Sequence, residues 1–542
     1  MPYPQAFQAS LDALVASRSR RLEQQIPELS LAGKQDLLER FHPDFKIEES
    51  REIRIGSWKG QCVPKELAAV LESRGVLHPD EVDLSHPDLQ VDVLVIGGGG
   101  AGTAAALLAH QAGASVVVAT KLRHGDSNTI MAEGGIAAAA RREDSPVLHY
   151  EDTVRGGRFA NVPELVQTLV LDAPGVLQWL ESLGVLFDRQ ADGTILAHQP
   201  AGHSAHRSHS CRDLTGLEIM RVLRDELRTQ GVPVLEFSPV VELLMDENGR
   251  CAGAVLLNLD TSRYTVARAG ATILATGGLG RLHLQEFPTS NHYGATGDGM
   301  VLAYRAGARC VYLDSMQYHP TGVVWPEQMF GLLVSEHLRA RGTQLVNLNG
   351  ERFINELETR DCVSAAILRE CGDRELGVPT PAGAVGVWLD TPLIDIFEGP
   401  GTAQHQFAGI YGRFREFGID PSTEPILIFP TQHYQNGGVL TDTNGQTSVP
   451  GLYAAGEVAG GVHGRNRLGA NSLVDILVFG RRAGSHAAET AKGVPKAGLT
   501  LEHVRRWNQD VDREVGEAAV VAPILLPDYS GHKERECARH WR

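Results

Sequence analysis

VDVLVIGGGGAGTAAALLAHQAGASVVVAT, residues 91–120, decides the fold. The run VDVLVI is β-branched and aliphatic, as a strand buried on both faces requires. The small-residue run TAAALLAHQAG then reads as a helix, and SVVVAT as the next strand. Between the first strand and the helix, Gly97, Gly99 and Gly102 fit G-x-G-x-x-G. In such a turn the first glycine allows the sharp bend and the second lets a pyrophosphate approach the backbone. The third lets helix and strand pack closely, and the helix N-terminus supplies partial positive charge. The second strand ends in Thr120-Lys121, where a plain NAD site would carry an acid for the ribose hydroxyls.

Working outward, glycine doublets recur at 134–135, 156–157, 277–278, 437–438 and 460–461, several of them after apolar runs. That pattern suggests backbone pressed against a ligand or a neighbouring strand. Leu165, Leu169, Val176, Leu177, Leu180 and Leu183 have helical spacing and predict a helix over 163–183. ATILATGG, residues 271–278, reads as another buried strand, and residues 311–432 lose the strand–glycine rhythm. The rhythm returns in GLYAAGEVAGG from Gly451. The expected layout is an N-terminal extension (1–90), a doubly wound α/β domain in two pieces (91–310 and 433–495), an inserted lobe (311–432) and a short C-terminal segment (496–542). The extension reads either as a packing arm over the main body or as a docking surface for another subunit.

Composition narrows the function. Across 542 residues, 42% are hydrophobic and 21% charged, which fits a globular chain with a large core. Lys and Arg number 50 against 66 Asp and Glu, a net charge of −16 that argues against a general nucleic-acid binder. A local basic pocket for an anionic substrate remains compatible with it. No run approaches the ~18 apolar residues of a membrane helix, and the start lacks the order of a secretory signal. Seven widely spaced cysteines without a CxxC pair read as reduced thiols in a cytoplasm, with no iron–sulfur or zinc signature.

The motifs VIGGGGAG, SNTIMAEGGIAAA, ILATGG, GATGDG, QYHPTG, SEHLRARG, ETRD, HYQNGG, GLYAAGEVAGGVHG and NRLGANSL occur in this order. As an ordered set over roughly residues 91–490 they resemble the flavoprotein family of succinate dehydrogenase, fumarate reductase and L-aspartate oxidase. The resemblance implies a discontinuous Rossmann-like FAD-binding domain with an inserted α+β capping domain, and an active site between the two at the flavin. It assigns cofactor contacts to Gly97, Gly99, Gly102, Thr120, Lys121, Ser127, Asn128, Thr129, Gly134, Gly135, Ala275, Thr276, Gly277, Asp298, Glu457, Ser472 and Leu473. It assigns proton donation to Arg360 in ETRD, and the return of that proton to Glu336 and Arg339, three apart and so on one helix face. His319, Thr321, His433 and Arg467 resemble its substrate-binding set. The chemistry is coherent, because a dicarboxylate needs cationic and hydrogen-bonding groups at both ends, and arginine suits bidentate carboxylate capture. Taken alone, Arg360 would read as a surface ion pair, Glu336–Arg339 as a helix salt bridge and His433 as a structural histidine.

Five departures from the family pattern bear on function. Ser127-Asn128-Thr129 stands where respiratory members carry the histidine that binds FAD covalently, so non-covalent FAD is expected. A lower flavin potential and a bias towards alkene reduction follow. Pro200-Ala201-Gly202-His203-Ser204 lacks the glutamate that aspartate oxidases use for the substrate ammonium. His203, His206, His209 and Cys211 have a spacing that raises a metal site, without a second cluster in support; no metal is expected. Only a short stretch follows Gly480, so the surface for an iron–sulfur subunit is either absent or replaced by the N-terminal extension. Arg341 and Arg465 add charge that suits a more anionic or larger substrate, or else lies at the surface.

The resulting expectation is an FAD-dependent oxidoreductase of fumarate reductase type, acting on a dicarboxylate or similar enoate. It would be cytoplasmic or held peripherally through an electron-transfer partner such as an iron–sulfur protein. L-aspartate oxidase and a non-catalytic electron-relaying flavin subunit are the alternatives.

Overall fold

The computed structural model describes residues 3–495 and 497–525. Cys537 and the other residues beyond 525 lie outside the described residues. Two sheets carry the architecture. In chain order their strands are β1 (Leu89–Ile96), β2 (Val116–Ala119), β3 (Val234–Leu235), β4 (Val240–Asp246), β5 (Cys251–Asn258), β6 (Arg263–Leu274), β7 (Met316–Trp325), β8 (Leu345–Val346), β9 (Val385–Leu389), β10 (Ile426–Gln435), β11 (Leu452–Ala454) and β12 (Leu499–Thr500).

The larger sheet runs β12-β4-β5-β6-β1-β2-β3, with β11 also on β6. Parallel pairing joins β6, β1, β2 and β3, and β11 to β6, whereas β4, β5 and β12 attach antiparallel. The hydrophobic end of β1 and all of β2 are buried, as a parallel strand covered on both faces must be. Strand β6 changes partners along its length. Residues 263–268 pair with β5, and 267–274 with β1, so its C-terminal end delivers Ala275 beside the glycine turn.

The smaller sheet, β7-β10-β9-β8, is antiparallel. The chain leaves the larger sheet after β6, builds this second sheet, and returns through β11.

The N-terminal residues form a wrap. Helix α1 (Gln8–Glu23) and the turn before it lie on the smaller sheet, where Phe7 and Tyr3 meet Trp388 edge-on. Arg18 and the fully buried Arg21 both bind Asp390 at 2.8 Å. Helix α2 (Leu31–Phe41) packs on the helix that begins at Arg360, and Lys34 binds Glu358 at 2.7 Å. These residues pack over the main body.

Helix α3 (Gly100–Gln111) follows β1, and helix α4 (Pro163–Leu183) lies where the leucine spacing predicts it. Helix α5 (Arg360–Leu368) starts at the predicted proton donor, and helix α6 (Asn471–Ala491) crosses α3. The crossing explains the alanines. A Cβ at Gly480 would stand 2.6 Å from the Ala101 carbonyl oxygen, and one at Gly484 2.1 Å from that of Ala105. Only small residues let two helices approach this closely.

Candidate active site

One cleft runs from the glycine turn to the junction with the inserted lobe, enclosing about 1760 Å³ including its mouth. Gly97 adopts φ +115°, and a Cβ there would lie 2.2 Å from the Ala275 carbonyl oxygen. A Cβ on Gly102 would lie 1.9 Å from the Gly97 carbonyl oxygen. The turn therefore admits no side chain at these positions, and Gly99 caps α3 with backbone alone. The N–H groups at the start of α3, of which that of Gly100 donates to Thr129 Oγ1 at 3.1 Å, give the cleft the partial positive charge that suits a pyrophosphate.

Lys121, at the end of β2, donates to Asp298 Oδ2 and Thr296 Oγ1, each at 2.7 Å, and to the Ile524 carbonyl at 3.0 Å. Asp298, at the head of helix Asp298–Arg305, is thus held beside the end of the second strand. Asn128 is fully engaged. Its Nδ2 donates to Asn291 Oδ1 at 2.7 Å and to Glu457 Oε2 at 3.3 Å, while its Oδ1 accepts from the His292 N–H at 2.6 Å. Burial raises the Glu457 carboxyl above its usual range, partly offset by the Gln435 N–H and Asn128.

Thr120, Ser127, Thr129, Gly134, Gly135, Thr276, Gly277, Ser472 and Leu473 also line the cleft; Gly102 stands behind it. FAD fits this cradle. Backbone at the turn leaves room for phosphates, and the buried Thr276 hydroxyl has no hydrogen-bond partner among the described residues.

At the other end the cleft meets the inserted lobe. Arg360 is the first residue of α5. Its Nε donates to Glu336 Oε2 at 2.9 Å, its Nη2 to the same oxygen, and its Nη1 to Gln317 Oε1 at 3.1 Å. Glu336 Oε1 accepts from Arg339 Nη2 at 3.0 Å, and Arg339 is itself buried, with Nη1 on the Glu356 carbonyl. An unbroken Arg360–Glu336–Arg339 chain results. A Cβ on Gly469, in NRLG, would stand 2.6 Å from Glu336 Oε2, which is why that motif needs glycine there.

Arg467 Nη2 donates to the same Gln317 Oε1 at 3.0 Å, and its guanidinium lies 4.3 Å from the Tyr434 ring centroid. His433 Nδ1 meets Ser290 Oγ at 2.8 Å, leaving Nε2 with no protein partner among the described residues. His319 and His433 stand with ring centroids 4.9 Å apart.

Thr321 sits elsewhere. Its hydroxyl donates to the Val334 carbonyl at 2.7 Å and lies 3.0 Å from His319 Nδ1, so it braces that histidine behind the cleft wall. Gln317, which joins the two cleft arginines, carries no charge and does not stand out in the sequence. Its position two residues before His319 on β7 is the available signal.

The electrostatics favour an anion. Burial would raise the Glu336 carboxyl, but Arg360 and Arg339 outweigh it and bring it down to about 2. Burial and the neighbouring Arg360 hold His319 and His433 well below their ordinary value, so both are neutral at pH 7. Burial and Arg360 lower Arg467 to about 10, still charged at neutrality. Arg360 and Arg467 line this end of the cleft, and the Glu336 carboxylate is shared between Arg360 and the buried Arg339, an arrangement that favours an anion.

The added charges read from the sequence are spent elsewhere. Arg341 forms an ion pair with Glu398 at 2.8 Å and Arg465 with Asp314 at 2.9 Å, both outside the flavin cleft. The histidine run is likewise occupied with backbone. His203 Nε2 lies 3.0 Å from the Gly469 carbonyl, and the His209 ring bridges the Leu196 and Ala138 carbonyls. Among the described residues no cluster of His, Cys, Asp and Glu is placed to hold a metal, and no helix is long and apolar enough to cross a membrane.

Comparison with known proteins agrees with this geometry. The FAD binding domain family matches residues 92–473. A CoM/CoB fumarate reductase chain of Methanothermobacter marburgensis is 39% identical over 79% of this protein and 76% of its own length. The L-aspartate oxidase of Streptomyces coelicolor is 38% identical over 82% and 73%. Among solved structures, FrdA of E. coli quinol fumarate reductase superposes with a TM-score of 0.70 at 31% identity, covering 78% of this chain and 74% of that one. The chain therefore belongs to the FAD-binding family that holds the fumarate reductase and succinate dehydrogenase flavoproteins and L-aspartate oxidase, and is an FAD-dependent oxidoreductase of the fumarate reductase type.

Proposed function

We propose that the protein reduces the double bond of a C4 dicarboxylate such as fumarate. The observation that carries this reading is the Arg360–Glu336–Arg339 chain opening into the cleft that begins at the glycine turn. Arg467, His433 and His319 supply cationic and neutral hydrogen-bonding groups for the two carboxylates, and Thr321 holds His319 in place. Bound FAD, held by the cleft residues named above, supplies hydride to one alkene carbon. Arg360 gives a guanidinium proton to the other, which completes the addition of two hydrogens. Glu336, a carboxylate at rest, then takes a proton from Arg339 and passes it to Arg360, and Arg339 is recharged from solvent. Gln317 fixes the spacing of Arg360 and Arg467 through one shared oxygen.

Electrons must arrive from outside, and a cytoplasmic or peripheral partner with iron–sulfur clusters suits that need. Purified protein with reduced viologen dye should oxidise the dye on addition of fumarate. Absence of turnover, with flavin bound and reducible, sinks this reading and favours an electron-relaying role. The similarity to an L-aspartate oxidase keeps that reaction as the second reading. Pro200 lines the cleft where that enzyme class carries an acid for the ammonium, so hydrogen peroxide production from L-aspartate is expected to be minor beside fumarate reduction.

The flavin is held without a covalent bond. An amide cannot form the histidyl link, and Asn128 is committed to Asn291, Glu457 and His292. Acid precipitation should leave the yellow colour in the supernatant; colour retained in the pellet overturns the assignment.

A further inference from the structure

A second cavity, about 2770 Å³ including its mouth, lies on the other side of the wall formed by the start of α5 and the residues after Glu336. Thr359 and Asp361 face this cavity, while Arg360 between them faces the flavin cleft. Pro200 and His337 line both spaces and mark where they adjoin. The cavity is built from three parts of the molecule: the FAD-binding domain, the inserted lobe, and α2 of the N-terminal wrap.

Three observations give it a role. A dinucleotide lying along the glycine turn fills that end of the flavin cleft, so a substrate needs another way in. The boundary shared with the second cavity at Pro200 and His337 is where the two spaces adjoin. His337, at that boundary, and His198, in the wall of the second cavity, stand with ring centroids 5.6 Å apart at 56°. Neither ring has a hydrogen-bond partner for its nitrogens among the described residues, although both lie in the cavity wall. Burial lowers the His198 imidazole to about 4 and also lowers that of His337, so at neutral pH each is a hydrogen-bonding group without charge. Further out, Arg212 lines the cavity with no carboxylate on its guanidinium among the described residues, whereas Arg341 is paired with Glu398.

We propose that this second cavity is the vestibule through which an anionic dicarboxylate reaches the flavin, with His198 and His337 as the pair that admits it. The proposal rests on the dicarboxylate reading for the nature of the cargo. Neutral imidazoles hand a carboxylate onward without trapping it, because a hydrogen bond from a neutral donor is weaker than a charge-assisted one. An unpaired arginine at the outer wall raises the local concentration of a dianion at modest ionic strength.

The test uses the FAD-loaded protein and two variants outside the proton relay. His198→Trp adds bulk beside His337, where the two spaces adjoin. It should lower kcat/KM for fumarate at least about tenfold and leave kcat at saturation within about twofold. It should also lower the Stern–Volmer constant for iodide quenching of the bound flavin by at least about threefold. Arg212→Glu, at an exposed position, should lower kcat/KM several-fold at low salt, with the difference closing as ionic strength rises. An unchanged kcat/KM together with unchanged quenching in His198→Trp overturns the vestibule, and so does a loss confined to kcat. If the wild type fails to reduce fumarate, the dicarboxylate reading falls, while the iodide comparison still decides whether this route leads to the flavin.

Discussion

Arg360→Lys should keep its full complement of FAD and lose about 10³- to 10⁴-fold in kcat with fumarate, roughly 4–5.5 kcal/mol of transition-state stabilisation. The guanidinium does three things at once. It binds Glu336 through Nε and Nη2, it shares Gln317 Oε1 with Arg467 through Nη1, and in the proposed reaction it carries the proton for the substrate carbon. An ammonium is a point charge on a flexible stem and cannot span Glu336 and Gln317 in one plane. The proton then starts from the wrong place, and a misplacement of about 1 Å costs ~10²-fold by itself. Flavin binding should survive, since Arg360 touches none of the residues of the glycine turn, and the visible spectrum of the variant serves as the check. Turnover within tenfold of wild type would remove Arg360 from the role of acid.

The contrast between what the sequence discloses and what it hides follows from distance along the chain. The glycine turn is legible because strand, turn and helix are contiguous, and each glycine answers to a contact a few residues away or to the adjoining strand end at Ala275. Arg360, the proposed acid, is legible through its ordered motifs. Gln317 is not, because an uncharged amide in a strand looks like any polar residue until Arg360, 43 residues on, and Arg467, 150 residues on, close upon one oxygen.

Charge is the most deceptive signal. Arg341 and Arg465 read as additions to an anion site, but Glu398 and Asp314 neutralise them, and nothing local announces those partners. The N-terminal residues are ambiguous for the same reason. Arg21 is an ordinary surface-looking residue of an amphipathic helix until Asp390, 369 residues later, buries with it. The segment acts on the site indirectly. By laying α2 along α5 and pairing Lys34 with Glu358, it braces the helix whose first residue is Arg360.

Glu336→Gln should separate proton return from proton donation. Glu336 is the carboxylate between Arg360 and Arg339, and the glutamine keeps the shape while removing the charge. In the wild type, Arg360 enters each cycle protonated and must be recharged before the next. The variant therefore begins with its proton in place. A pre-reduced sample mixed with fumarate should complete one turnover within about tenfold of the wild-type rate, while steady-state turnover falls about 10²- to 10³-fold. A residue that merely oriented Arg360 would slow both phases equally, and that result would refute the relay.

The pH dependence of stability gives an independent reading. Glu336 titrates at about 2 when folded against 4.5 when free, because Arg360 and Arg339 overcome the cost of burial. Its folded form is the more acidic, so its contribution is present above pH 4.5 and is lost as pH falls towards 2. That contribution is on the order of 3 kcal/mol. Thermal unfolding of the wild type should weaken over this window. Glu336→Gln should lose the slope that Glu336 supplies, and its deficit relative to wild type should narrow towards pH 2. A deficit constant from pH 6 to pH 2 would mean that the carboxylate is not held ionised by its two arginines, and the proton chain would lose its middle member.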